Sequence, residues 1–98
     1  MTQPEATIEG KFVQYAESLG CLALKLRIDG QRGFPDRTVL TPVGVLFLEF
    51  KKPGGRAHVQ QRGWIFRLHE MGFVADIVDS YEDAVDMLNH FIAERTSR

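Results

Sequence analysis

Glu49 and Lys51 stand where charge is costly. The run from Val43 to Phe50 is the most apolar in the chain, broken only by Gly44 and Glu49. A run so rich in Val, Leu and Phe reads as a central strand buried on both faces. A charge in such a place costs several kcal/mol unless it is paired or bound to a metal. Strand side chains alternate, so Glu49 and Lys51 leave the same face, roughly 7 Å apart. A second carboxylate, Asp36, follows the Gly33-Phe34-Pro35 turn, thirteen residues before Glu49. Two carboxylates and an ammonium at the end of a core strand are placed for chemistry. The plainer readings are an ion pair on a strand for Glu49 and Lys51, and a turn-forming Asp after Pro for Asp36.

The wider pattern narrows this. In order, the chain has Gly33-Phe34-Pro35-Asp36, Glu49-Phe50-Lys51, Gly54-Gly55-Arg56 and Gln61-Arg62-Gly63-Trp64. This resembles the VRR-NUC branch of the PD-(D/E)xK nucleases. Their form is Gly-x-Pro-Asp, Glu-x-Lys, a glycine-containing loop, then Gln-x-x-Trp. The family also carries a Glu early in its first helix, which Glu9 matches. The resemblance covers about residues 5 to 79. A lone Pro-Asp and Glu-x-Lys pair is common by chance; five elements in the right order are not.

The resemblance implies hydrolysis of phosphodiester bonds with Mg²⁺ or Mn²⁺. A divalent metal polarises phosphate and lowers the pKa of bound water, and Mg²⁺ prefers oxygen ligands. Asp36 and Glu49 supply carboxylates. The family pattern adds the Phe50 carbonyl as a ligand, with Glu9 completing the site directly or through water. It assigns Lys51 to the attacking water or phosphate, and Gln61 to orienting Lys51 or that water. For short stand-alone members it implies structure-selective cutting of DNA, namely resolution of four-way junctions by a homodimer. Such members look like phage or bacterial proteins, so the expected place is the cytoplasm of a bacterial or phage-infected cell. Two alternatives stay open: a DNA-binding module without catalysis, and a nuclease of the same fold directed at flaps or RNA.

Charge distribution agrees with a phosphate-binding face. The 98 residues carry a net charge of −1. Between Lys25 and Arg67, however, there are nine Lys or Arg against three acids, and two of those acids are Asp36 and Glu49. The remainder holds three basic and ten acidic residues. A basic middle of this kind suits a polyanion. Lys25, Arg27, Arg32, Arg37, Lys52, Arg56 and Arg62 are the candidate phosphate contacts. No recognition helix, set of base-stacking aromatics or zinc finger is apparent, so contact with backbone and shape is expected over base reading.

The rest of the composition is ordinary. Hydrophobic residues at 44% and charged residues at 26% fit one globular domain spanning 1–98. A single cysteine, Cys21, excludes an internal disulfide, and His58, His69 and His90 lack zinc-type spacing. No apolar run is long enough to span a bilayer, so no membrane partner is expected. Met1 to Glu5 lack the basic and apolar stretches of a signal peptide, so none is expected.

The elements that must position these groups follow from periodicity. Residues 5–19 read as a helix with Ile8, Phe12, Tyr15 and Leu19 on one stripe, Pro4 in its first turn and Gly20 at its end. Cys21 to Ile28 alternates and reads as a half-buried strand with Leu22, Leu24, Leu26 and Ile28 inward. Residues 37–41 and 43–50 complete an antiparallel meander, which brings Asp36 to the end of the central strand. A helix over 58–71 carries Trp64, Ile65, Leu68 and Met71, with Gln61 at the head of that stripe. A strand over 73–78 should run parallel to a strand of the same sheet after this crossover. Ser80 caps a last helix over 81–94. The predicted fold is α/β: a restriction-endonuclease-like αβββαβ core, a mixed four-stranded sheet flanked by helices, plus a C-terminal helix.

Overall fold

The structure is a computed structural model that describes residues 5–97; Pro4 lies outside them. Its elements in chain order are α1 (Glu5–Ser18), β1 (Leu22–Leu24), β2 (Arg37–Thr41), β3 (Gly44–Phe50), α2 (Val59–Glu70), β4 (Val74–Val78) and α3 (Tyr81–Thr96). The sheet order is β1-β2-β3-β4. β1, β2 and β3 are antiparallel neighbours, and β4 lies parallel to β3 after the α2 crossover. This is the predicted α/β topology. No described helix is long and apolar enough to cross a membrane.

The turn from β2 to β3 is held by one side chain. The Thr41 hydroxyl accepts from the Val43 N–H and donates to the Gly44 carbonyl. That tight reversal fixes the register, pairing Arg37 with Leu48 and Thr38 with Phe47. Register in turn decides which face each side chain joins.

The two faces of the sheet are covered by different helices. On the first, Val39, Leu46, Leu48, Phe50 and Val78 pack with Ile8, Phe12 and Ala16 of α1 and Ala84, Leu88 and Phe91 of α3. Phe12 and Phe50 are fully buried with ring centroids 5.4 Å apart. Burying each contributes roughly 1.5–3 kcal/mol. The Tyr15 hydroxyl donates to Asn89 across α1 and α3. On the second face, Ile65 and Leu68 of α2 cover Phe47 and Ala75, with Phe34 and Trp64 packed beside them. Ser80 caps α3 by accepting from the Asp83 N–H.

The first strand departs from expectation. Only Leu22–Leu24 is strand, and its inward residues are Cys21 and Ala23, not the leucines. Leu22, Leu24, Leu26 and Ile28 are 52%, 36%, 45% and 39% exposed. Alternation marks two faces but does not say which one a helix covers. Here α1 lies over the small residues, while α2 reaches only the β3–β4 half of the opposite face. Leu22, Leu24 and Leu40, which pairs with Leu22, are therefore left bare. The helical stripes also overrun their helices, leaving Leu19 and Met71 exposed.

Candidate active site

The carboxylates meet where β2 begins and β3 ends. Asp36 immediately precedes β2, and its Oδ2 accepts from the Phe50 N–H at 2.9 Å. Glu49 lies on β3 in the row of Val45 and Phe47, so it faces α2 and is only 2% exposed. Its Oε2 accepts from Gln61 Nε2 at 2.8 Å and lies 3.4 Å from Lys51 Nζ. Its Oε1 is buried with no partner. Lys51 is held in place through its backbone, whose N–H donates to the Val78 carbonyl. Asp36, Glu49, Lys51 and Gln61, all singled out by motif, thus form one cluster.

Electrostatics make the cluster tense. Burial, and next the neighbouring Asp36 carboxylate, push the Glu49 pKa up to about 7, against the opposing pull of Lys51. A buried carboxylate oxygen without a donor normally needs an explanation, such as an ion or water. Two carboxylates converging beside such an oxygen fit a hard divalent cation. Asp36 and Glu49 are the residues that would hold it.

Gln61 makes a contact that the motif did not predict. It stands at the start of α2, where its Oε1 accepts from the His58 N–H at 2.7 Å. One of the two N–H groups of its amide donates to Glu49. It therefore orients a carboxylate.

Glu9 is placed elsewhere. It projects from α1, on the far face of the sheet, and accepts from Arg37 Nε at 2.5 Å, with Lys25 at 3.7 Å. Arg37 also donates to the Ala23 carbonyl. The cause is alternation: Arg37 sits opposite Leu48 on the α1 face, whereas Asp36 and Glu49 turn toward α2. No three His, Cys, Asp or Glu side chains gather into a metal group among the described residues. At Phe50, the group that Asp36 engages is the N–H; the ring is core.

The basic candidates divide. Arg37 and Lys25 are tied to Glu9, and Arg62 donates to the Ala57 carbonyl just before α2. Arg27, Arg32, Lys52 and Arg56 are exposed, without ion pairs among the described residues. Arg67 was not among the sequence candidates. Its guanidinium lies 4.3 Å from the Trp64 ring centroid, and the Trp-x-x-Arg spacing on a helix was the available signal.

Gly33 is what lets the Asp36 turn lie on α2. Its φ is +86°, and an added Cβ would meet the Gln60 carbonyl carbon at 2.6 Å and the Gln61 nitrogen at 2.8 Å. Gly33→Ala should therefore lower stability, by about 1–3 kcal/mol from backbone strain alone, and displace Gln61 from Glu49. A urea midpoint equal to that of the parent protein would show that the loop is not seated this tightly.

Comparisons with known proteins bear on the fold that carries this cluster. No family model matches the chain, and no curated protein does. Solved structures do. One, described as a VRR_NUC domain, has a TM-score of 0.81 at 26% identity, covering 89% of this chain and 96% of its own. Another, a VRR_NUC domain protein, has a TM-score of 0.77 at 13% identity, covering 95% of this chain and 91% of its own. The second likeness concerns fold alone. The first adds a sequence likeness to the shared fold, so this chain is similar in fold and in sequence to a VRR_NUC domain, with the ordered Asp36, Glu49, Lys51 and Gln61 elements in keeping with that likeness.

Proposed function

We propose that this chain is a metal-dependent endonuclease that hydrolyses phosphodiester bonds in branched DNA. The observation that carries the reading is Glu49: a buried carboxylate with one unpartnered oxygen, beside Asp36 and 3.4 Å from Lys51 Nζ, on a nuclease fold. A buried carboxylate with an unpartnered oxygen beside a second carboxylate is a poor structural ion pair and suits a hard cation. When bound, the metal ion supplies Lewis acidity toward phosphate and lowers the pKa of its bound water. Asp36 and Glu49 would hold it, and the Gln61 amide, donating to Glu49, orients that carboxylate. Lys51 Nζ stands on the same side, able to donate to the attacking water or to a phosphate oxygen as charge develops. The deciding experiment is a panel of labelled junctions, flaps, duplex, single strands and RNA, with Mg²⁺, Mn²⁺ or EDTA. Cleavage undiminished in EDTA would refute the metal site.

Assembly follows from the substrate. A four-way junction is close to two-fold symmetric and needs two opposed cuts. One copy has one such cluster, so the reading requires a symmetric dimer. The leucines left bare on β1 and β2 are the surface a second copy would bury, since exposed apolar patches of this kind mark association sites. Light scattering at micromolar concentration should give a dimer, and Leu40→Lys a monomer. A protein that stays monomeric with and without a junction, and cuts flaps better, defeats the junction reading and leaves the nuclease reading standing.

A further inference from the structure

A groove runs outward from the site along α2, and nothing in the chemistry so far uses it. Its inner part, of about 220 Å³, lies between Arg32 and Gly33 on one side and His58, Gln60 and Gln61 on the other. Its outer part, of about 430 Å³, continues between Gln31 and Arg32 and the Gly63, Trp64 and Arg67 stretch of the helix. Arg32 and Gln60 line both parts, so the two are one channel. Its inner end is Gln61, the residue that holds Glu49.

The lining is selective. It holds two guanidiniums and no carboxylate. Neither Arg32 nor Arg67 forms an ion pair among the described residues. Arg67 is steadied instead by the Trp64 ring beneath it. From Gln61 to Arg67 the helix rises about 9 Å, so the cations flank a path that begins at the site.

Gly63 is the second, independent observation. It sits inside α2, where glycine costs stability relative to alanine. An added Cβ there would touch nothing in the protein. Internal packing therefore does not require it, and it lies on the groove wall. A ligand backbone pressed against the helix would require it.

We propose that this groove carries one strand of a nucleic acid past the cut site, with Arg32 and Arg67 on its phosphates and its sugar-phosphate backbone against Gly63. This rests on the nuclease reading for the meaning of the inner end, but it is tested by binding alone. The probe is a fluorescein-labelled four-way DNA junction, followed by anisotropy in EDTA with the Glu49→Gln protein as background. Gly63→Ala should raise the melting temperature by a few degrees yet weaken binding at least threefold, two shifts in opposite directions. Gly10→Ala provides the reference: it is the other open glycine inside a helix, on the far side of the sheet, and it should raise the melting temperature with binding unchanged. Arg32→Gln and Arg67→Gln should each weaken binding and flatten the dependence of log affinity on log salt by about 0.7–0.9, the loss of one phosphate contact. Unchanged affinity and salt slope in all three groove variants, where the Glu49→Gln parent binds and the wild type cleaves, overturns the groove and spares the nuclease reading. Groove-dependent binding without any metal-supported cleavage by the wild type supports the groove and refutes the nuclease reading. Absence of binding to the junction and to a labelled single strand overturns both.

Discussion

Glu49→Gln will abolish metal-dependent cleavage, and in metal-free buffer at pH 8 it will melt higher than the wild type. The first half follows from replacing a charged ligand oxygen with a neutral amide. The second follows from what holds Glu49 in place. Its folded pKa is raised to about 7 from 4.5, by burial first and by Asp36 second. Below pH 4.5 Glu49 is protonated in both folded and unfolded chains and costs nothing. As pH rises from 4.5 through 7, the unfolded chain loses the proton while the folded chain still retains it, so stability falls. Above 7 the penalty is fully present, on the order of 3 kcal/mol. An amide carries no charge to bury, and its N–H can donate to Asp36 as a protonated Glu49 would. The gain should vanish below pH 4.5, where the two proteins converge. Asp36→Ala should also be inactive, and its metal-free stability should depend less on pH because the Glu49 pKa falls. Saturating Mg²⁺ should stabilise the wild type by mass action and Glu49→Gln hardly at all. Thermal melts at pH 4, 6 and 8, with EDTA or Mg²⁺, supply the whole comparison. A wild type more stable than Glu49→Gln at pH 8 without metal would show that the carboxylate is satisfied and that no cation seat exists.

That tension was half visible in the amino-acid sequence. A Glu and a Lys two residues apart in the most apolar run were bound to share a face and to conflict with burial. The element order, the parallel fourth strand and the cluster of Asp36, Glu49, Lys51 and Gln61 were all legible from periodicity and motif order. What was not legible was coverage. Leu22, Leu24, Leu26 and Ile28 alternate like inward residues, yet Cys21 and Ala23 turn inward because α1 lies close over the small side. That depends on how far each helix reaches across the sheet, which no local pattern encodes. The same holds at Glu9. Its helix position put it near the core edge, but the register of β2 turned Arg37 toward α1 and supplied a partner 2.5 Å away. Arg67 was missed for a like reason: the role proposed for it depends on a groove shared with the Gln31–Arg32 loop, far earlier in the chain.

Lys51→Ala should bind DNA and metal nearly as well as the wild type and lose about 10²–10³-fold in the single-turnover rate. The size is that of removing one donor aimed at developing charge. The geometry explains why binding survives. Lys51 Nζ is 3.4 Å from Glu49 Oε2 and only 13% exposed, so it contributes little to the surface that meets a long polyanion. Its ammonium does offset the Asp36 and Glu49 charges, so its loss should push the Glu49 pKa further up. The residual activity of Lys51→Ala should then rise with pH to a higher midpoint than that of the wild type. Gln61→Ala separates the roles. It removes the hydrogen bond that orients Glu49 and the contact to His58, so it should weaken metal affinity more than the rate at saturating metal. Lys51→Ala should do the reverse, leaving the metal titration in place and lowering its plateau. Single-turnover rates across a Mg²⁺ titration distinguish the two. A Lys51→Ala protein with a wild-type plateau would leave Lys51 as a counter-ion for buried carboxylates and remove it from the chemical step.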